Sequence, residues 1–339
     1  MNVRLTQIDG KLPNLALMKL AHWHRAHGDA VHYSRHTGRE VFETTAYDCV
    51  YGSAIFSASK PAVDTFLKEW PGAIIGGTGT PTKVTVEDVI GQDYEHYDYS
   101  IDPGYKFSIG FTQRGCRLKC GFCVVPEKEG RPRTVNTISS IWRGAGHPRA
   151  VVLLDNDFFG QPREEWRRRI AEIKDGKFKV SFNQGLNVRL LDEEACAALA
   201  TIPYYDDQFT TRRLYTAWDN LKDEGIFFNG VDMLERAGIP PRHLMVYMLV
   251  GYDQAETWAR IFERFDAMVA RGIQPYPMVY NNARKDLKWF QRWVVRRFYL
   301  LKNKDGSQRF PWKDFTLENL ARYKRDGRQD PDQLHLTNI

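Results

Sequence analysis

The sequence predicts an α/β protein, on three observations. Apolar stretches of strand length alternate with stretches of helical spacing along most of the chain. Strands separated by helices need crossover connections, and these give parallel sheets. A polar stretch over residues 84–103, rich in Tyr and Asp, splits the alternation into two series. The expected organisation is a Rossmann-like parallel-sheet domain over residues 1–90, a linker over 91–104, a partial (β/α)6 barrel over 105–282, and a C-terminal helix with a charged tail over 283–339. A chain of 339 residues is long enough for about two such domains.

The first series reads in order. Residues 3–8 form a short apolar strand. Residues 14–28 carry Leu15, Leu17, Met18, Leu20 and Ala21 at helical spacing and end on a glycine. Residues 30–33 and 48–56 are the next strands, and 60–70 are a helix with Pro61 near its start. Residues 73–75 form a strand that runs into Gly76, Gly77, Thr78 and Gly79.

The second series has strands expected over 106–111, 150–154, 178–182, 213–217, 244–250 and 274–279. Helices are expected over 164–174, 192–200, 220–237 and 254–271, with a last one over 283–301. About six β/α units are too few for a closed eight-stranded barrel, so an open, partial barrel is the better fit.

Composition excludes several classes. At 42% hydrophobic and 27% charged residues the chain is neither disordered nor collagen-like. No apolar run approaches the roughly 20 residues of a membrane helix, and the first residues lack the layout of a secretory signal. The expected location is therefore cytoplasmic, with no membrane partner. The formal charge of +6 permits a nucleic-acid partner without demanding one.

Of the five cysteines, Cys116, Cys120 and Cys123 fall within eight positions as C-x3-C-x2-C, directly after the first strand of the second series. An odd number grouped in this way reads as metal binding. Three thiolates on one tight loop suit iron–sulfur or zinc, but a structural zinc site takes four protein ligands, usually in two pairs. Cys49 and Cys196 are isolated, and both are expected to be small buried residues.

This motif, with the aromatic Phe122 before the third cysteine, resembles the signature of the radical S-adenosylmethionine (SAM) superfamily, and the β/α order matches over most of residues 105–280. The resemblance implies that Cys116, Cys120 and Cys123 hold a 4Fe–4S cluster. The cluster would pass one electron to SAM, giving methionine and a 5′-deoxyadenosyl radical that abstracts hydrogen from a substrate. Phe122 would lie near the adenine. An external one-electron donor of flavodoxin or ferredoxin type is implied. Two other readings stand beside this one: an iron–sulfur electron-transfer protein that does not cleave SAM, and a zinc-containing nucleic-acid-binding module. The additional cysteines of an auxiliary cluster are absent, which argues against methylthiotransferases.

In β/α architectures working residues gather at the C-terminal ends of strands. These ends carry Asp155, Asn156 and Asp157; Asn183 and Gln184 with Arg189 close behind; Asp219; Tyr252 and Asp253; and Tyr280. Asp155, Asn156 and Asp157 stand where the superfamily has a Gly-Gly-Glu-like motif for the SAM ammonium, although the glycines are missing. Asn183, Gln184 and Arg189 are candidates for the ribose and carboxylate. The competing reading for all of these is helix capping.

The first domain, with its loop at Gly76, Gly77 and Gly79, resembles the cobalamin-binding domain that precedes many radical SAM cores, but it has no Asp-x-His-x-x-Gly. The resemblance admits cobalamin, and with it methyl transfer; a purely structural domain is the alternative. His22, His24, His27, His32 and His36 are expected to lie on a solvated helix face and not at a metal. The arginines at 163, 167, 168, 169, 292, 296 and 297, interleaved with Trp166, Trp289 and Trp293, could stack and pair with nucleic acid, but amphipathic helices look the same. The basic tail, including Lys302, Lys304, Arg309, Lys313, Arg322, Lys324, Arg325 and Arg328, is expected to be solvated.

Overall fold

The computed structural model describes residues 1–82 and 84–314; the tail residues Arg322, Lys324, Arg325 and Arg328 lie outside this range. The protein is mixed α/β with parallel sheets. It divides into two compact units. One comprises Met1–Arg114, Arg133–Leu154 and Ala171–Val180; the other comprises Gly115–Pro132, Asp155–Ile170 and the described residues from Ser181 on.

The first unit opens with β1 (Asn2–Gln7), α1 (Leu15–Ala26), β2 (Ala30–Ser34), β3 (Cys49–Ser53), α2 (Lys60–Glu69), β4 (Ile74–Gly76) and α3 (Val86–Ile90). Its four strands form one parallel sheet in the order β2-β1-β3-β4. Alternation along β1 divides its side chains between two faces. Val3 and Leu5 join Leu17, Met18 and Leu20 of α1 in one apolar cluster. Arg4, between them, is buried; it stacks over Trp70, with its guanidinium 4.8 Å from the ring centroid, and pairs with Glu43. The Asn14 side chain caps α1 by accepting the Leu17 N–H at 3.2 Å.

The helix α3 falls at the start of the polar stretch over residues 84–103 that reads as a connection. Its signal is a capping box, in which Thr85 and Asp88 each accept the other's backbone N–H.

Next along the chain come β5 (Ser108–Gly110), β6 (Gln113–Arg114), α4 (Val125–Lys128), β7 (Arg133–Thr134), α5 (Ile138–Ile141), β8 (Ala150–Leu153), α6 (Arg163–Asp175) and β9 (Lys179–Phe182). The strands order as β5-β8-β9, with β5 and β8 parallel, while β6 and β7 form a short antiparallel ribbon around the cysteine segment. The strands β5 and β8, grouped by sequence with the barrel, belong to the first of the two units.

The second unit continues with α7 (Glu193–Ala200), β10 (Leu214–Ala217), α8 (Glu224–Arg236), β11 (Leu244–Val250), α9 (Trp258–Ala270), β12 (Gln274–Val279) and α10 (Lys285–Val295). Its sheet is parallel in the order β10-β11-β12. The six strands of the second series thus lie in two three-stranded sheets. Strands β11 and β12 have the expected limits, but several helices are shorter than expected. Helix α9 starts at Trp258 because Thr257 caps it, and α10 stops at Val295, two residues before Arg297 turns left-handed at φ 55°.

Candidate functional site

The cysteine loop is built from its flanks. Gly115 has φ 81°, and a Cβ there would overlap the carbonyl of Arg131, so the turn into Cys116 requires glycine. The Cys116 N–H donates to the Gly130 carbonyl at 3.2 Å, and the Cys123 N–H to the Cys120 carbonyl at 3.0 Å. The Leu118 N–H points at the Cys116 sulfur, 3.4 Å away. All three cysteines are free and half-buried. Burial pushes the Cys116 thiol up, offset in part by the Leu118 N–H and reinforced by Asp157. Burial also pushes the Cys120 thiol up, with Arg189 pulling against it and Asp219 adding to it.

One wall of a cleft of about 530 Å³ is made by Leu118, Lys119, Cys120, Gly121 and Phe122, a volume suited to a small-molecule ligand. The opposite walls come from the C-terminal ends of β10 and β11: Asp219 to Asp223, and Leu249, Tyr252, Asp253, Glu256 and Arg260. Arg189 completes the lining and donates to Asp223 at 2.8 Å. The Tyr252 hydroxyl lies against Gly121, 2.7 Å from the position a Cβ would occupy, and its ring meets Phe122 and Tyr280 edge-on.

Buried Arg264 holds the β10 and β11 ends together. It donates to the carbonyls of Trp218 and Leu249, each at 2.9 Å, and pairs with Glu256. The Leu249 N–H in turn donates to Asp219 at 3.0 Å. Desolvation raises the Asp219 carboxyl above the ordinary range, which the Leu249 N–H and Arg189 only partly offset.

The residues singled out in the sequence divide here. Cys120, Phe122, Arg189, Asp219, Tyr252 and Asp253 line the cleft, whereas Cys116 and Cys123 are not among its lining residues. Asp155 and Asp157 are buried, and Asp157 is bound by Arg117, its two oxygens taking Nε at 2.7 Å and Nη2 at 2.9 Å. Asn156 donates to Glu129 at 2.6 Å. Asn183 is half-buried and Gln184 exposed after β9. Sequence reasoning did not single out Lys119, Lys222, Asp223 and Arg260 of the lining, nor Arg264 and Glu129. The last two act through contacts distant in sequence, and no local pattern marks them.

The donor set fits an iron–sulfur cluster in kind: three free thiol side chains on one folded loop, of which Cys120 lines the cleft. Among the described residues no group of three or more His, Cys, Asp or Glu side chains is gathered closely enough to hold an ion directly.

In the first unit, the close approach that Gly77 and Gly79 permit is to the chain's own backbone. A Cβ on either would overlap a carbonyl, that of Ala54 or of Phe56, and the Gly79 N–H donates to the Ala54 carbonyl at 3.0 Å. His24 departs from the expected solvated face: it is buried, with Nδ1 2.7 Å from Asp29 and Nε2 3.2 Å from the Tyr51 hydroxyl. His27, His32 and His36 are exposed, and His22 stacks on His96 at 5.3 Å. Cys196 is buried, and burial pushes its thiol up to about 11; Cys49 is only half-buried.

The basic run on α6 is paired within the protein. Arg163 meets Asp192 and Glu194, Arg167 meets Glu164 and Glu194, and Arg168 meets Glu165. Trp166 and Trp293 are buried, so neither offers a ring face to a base.

The chain was compared with known proteins. No family model matches it, and neither does any curated protein or any solved structure. No helix among the described residues is long and apolar enough to cross a membrane.

Proposed function

We propose that this protein is a radical SAM enzyme acting on a substrate not yet identified. The observation that carries the reading is the placement of residues 118–122 of the C-x3-C-x2-C loop as one wall of a cleft of about 530 Å³, lined also by Arg189 and, after the ends of β10 and β11, by Asp219 and Tyr252. Cys116, Cys120 and Cys123 would hold a 4Fe–4S cluster. When bound, such a cluster supplies one electron to SAM and so gives access to a 5′-deoxyadenosyl radical for hydrogen abstraction.

The chain's own residues bind and shield. Lys119, Arg189, Lys222 and Arg260 stand among Asp219, Asp223, Asp253 and Glu256 in the lining, so the cleft presents both signs of charge to a zwitterionic ligand. Phe122 and Tyr252 supply an apolar rim. The partial (β/α)6 barrel expected from the sequence belongs to this reading; the strands themselves lie in two three-stranded sheets, β5-β8-β9 and β10-β11-β12. An external one-electron donor and a cytoplasmic location go with it, and methyl transfer enters if the first unit takes cobalamin.

The test is anaerobic reconstitution with iron and sulfide, followed by SAM and a strong reductant, with 5′-deoxyadenosine measured by mass spectrometry. Production above a Cys116/Cys120/Cys123 triple-alanine control is the expected result. A loaded cluster without the product, with or without candidate substrates, would favour the electron-transfer reading. A colourless protein that binds zinc and nucleic acid with steep salt dependence would favour the third.

A further inference from the structure

We propose that Asp157 is a positioning residue which clamps the cysteine loop through Arg117, and that the Asn156–Asp157 segment serves that loop and not a ligand. The part of this inference that concerns metal loading rests on the radical SAM reading; the part that concerns order in the loop does not.

Arg117 lies between Cys116 and Cys120 in sequence, and Asp157 is 1% exposed. Its carboxylate takes three donors from Arg117: Nε at 2.7 Å, Nη2 at 2.9 Å and the backbone N–H at 3.2 Å. A two-point guanidinium–carboxylate pair fixes orientation as well as distance, and burial of the acid excludes competing water. The backbone donor matters as much, because it fixes the main chain immediately after Cys116.

A second strap reaches the other side of the same cysteine. Glu129 accepts the Gly115 N–H at 3.3 Å and the Asn156 side-chain N–H at 2.6 Å. Neighbouring residues after β8 therefore fix the chain before and after Cys116, and the cysteines start from a folded loop. A carboxylate already accepting three N–H groups from one arginine is poorly placed to take an ammonium as well.

The experiment uses the full chain. Hydrogen exchange of the amides over 115–124 is followed in the metal-free protein for wild type, Asp157→Asn, Arg117→Ala and the double variant. Each single change should speed exchange there by about tenfold or more, the size of a lost charge-assisted pair, and leave β11 unchanged. The double variant should be no faster than either single one, since both remove the same clamp. Removing Arg117 alone leaves buried Asp157 without its charge partner, so the double variant, which removes both charges, carries the comparison with wild type over 115–124 where a single variant fails to fold.

Wild-type exchange rates in Arg117→Ala, or effects that multiply in the double variant, would overturn the clamp. In reconstituted protein, Asp157→Asn should lower iron content, and excess SAM should not restore it. Full iron content with weakened SAM binding would make Asp157 a ligand contact and overturn the proposal. A wild-type chain that takes up no iron would sink the functional reading alone, because the exchange result is read without metal.

Discussion

The ring of Phe122 meets the ring of Tyr252 edge-on, with centroids 5.4 Å apart and planes inclined at 74°. This contact joins the residue before Cys123 to the turn that follows β11. An edge-to-face pair is worth about 0.5–1.5 kcal/mol beyond its buried area. Tyr252→Ala should therefore loosen the cysteine loop, seen as faster exchange of the 120–124 amides, whereas Tyr252→Phe keeps the ring and should leave them near wild-type rates. Equal effects of the two changes would assign the restraint to the hydroxyl over Gly121.

Arg264 should dominate the stability of the cleft wall. It is fully buried, satisfies two strand-end carbonyls and pairs with Glu256. Removing one partner of a buried pair costs about 3–5 kcal/mol, because the other charge is left uncompensated. Arg264→Met should show a loss of this size in urea denaturation. Arg264→Met combined with Glu256→Leu should recover part of it, since no unpaired charge then remains.

Stability of the first unit should fall in acid through Glu87. Its carboxyl is partly buried, which opposes ionisation, but Lys19 and Arg114 bring its pKa below the usual value of 4.5. The charged form is thus favoured more in the folded than in the unfolded chain. That contribution is complete above about pH 4.5 and is lost as pH falls through the lower folded value. Glu87→Gln should be less stable than wild type at neutral pH, and the two should converge in acid. A gap between them that stays constant with pH would show that the ion pairs with Lys19 and Arg114 contribute nothing.

Two glycines with left-handed backbone should respond differently to alanine. Gly28, at φ 80°, has open space where a Cβ would stand, so Gly28→Ala should cost only the conformational penalty of about 1–2 kcal/mol. Gly77, at φ 107°, would also drive its Cβ into the Ala54 carbonyl, so Gly77→Ala should cost more. Thermal denaturation of the two variants under one condition checks the order.

Much of the fold was legible because its signals are local. The limits of β11 follow from a continuous apolar run, β12 keeps its limits as an edge strand that tolerates Pro275 and Pro277, and α1 follows from helical spacing with Asn14 as its cap. The helix α3 was also marked, by Thr85 and Asp88, but the surrounding Tyr and Asp residues read as a connection. Helix ends were overextended where a local backbone event decided them, as at Arg297.

Sequence by itself determined the α/β class, the parallel connection of the first four strands and the grouping of three cysteines on one loop, since spacing and periodicity act over a few residues. Tertiary structure alone decided what each polar residue near that loop does. Asp157 and Asp219 both follow strands and look alike in sequence, yet one is bound by Arg117 while the other faces the cleft with a raised pKa. Partners 40 and 30 residues away, Arg117 and the Leu249 N–H, make that difference. Such pairings depend on how the chain folds back on itself, and no local pattern encodes them.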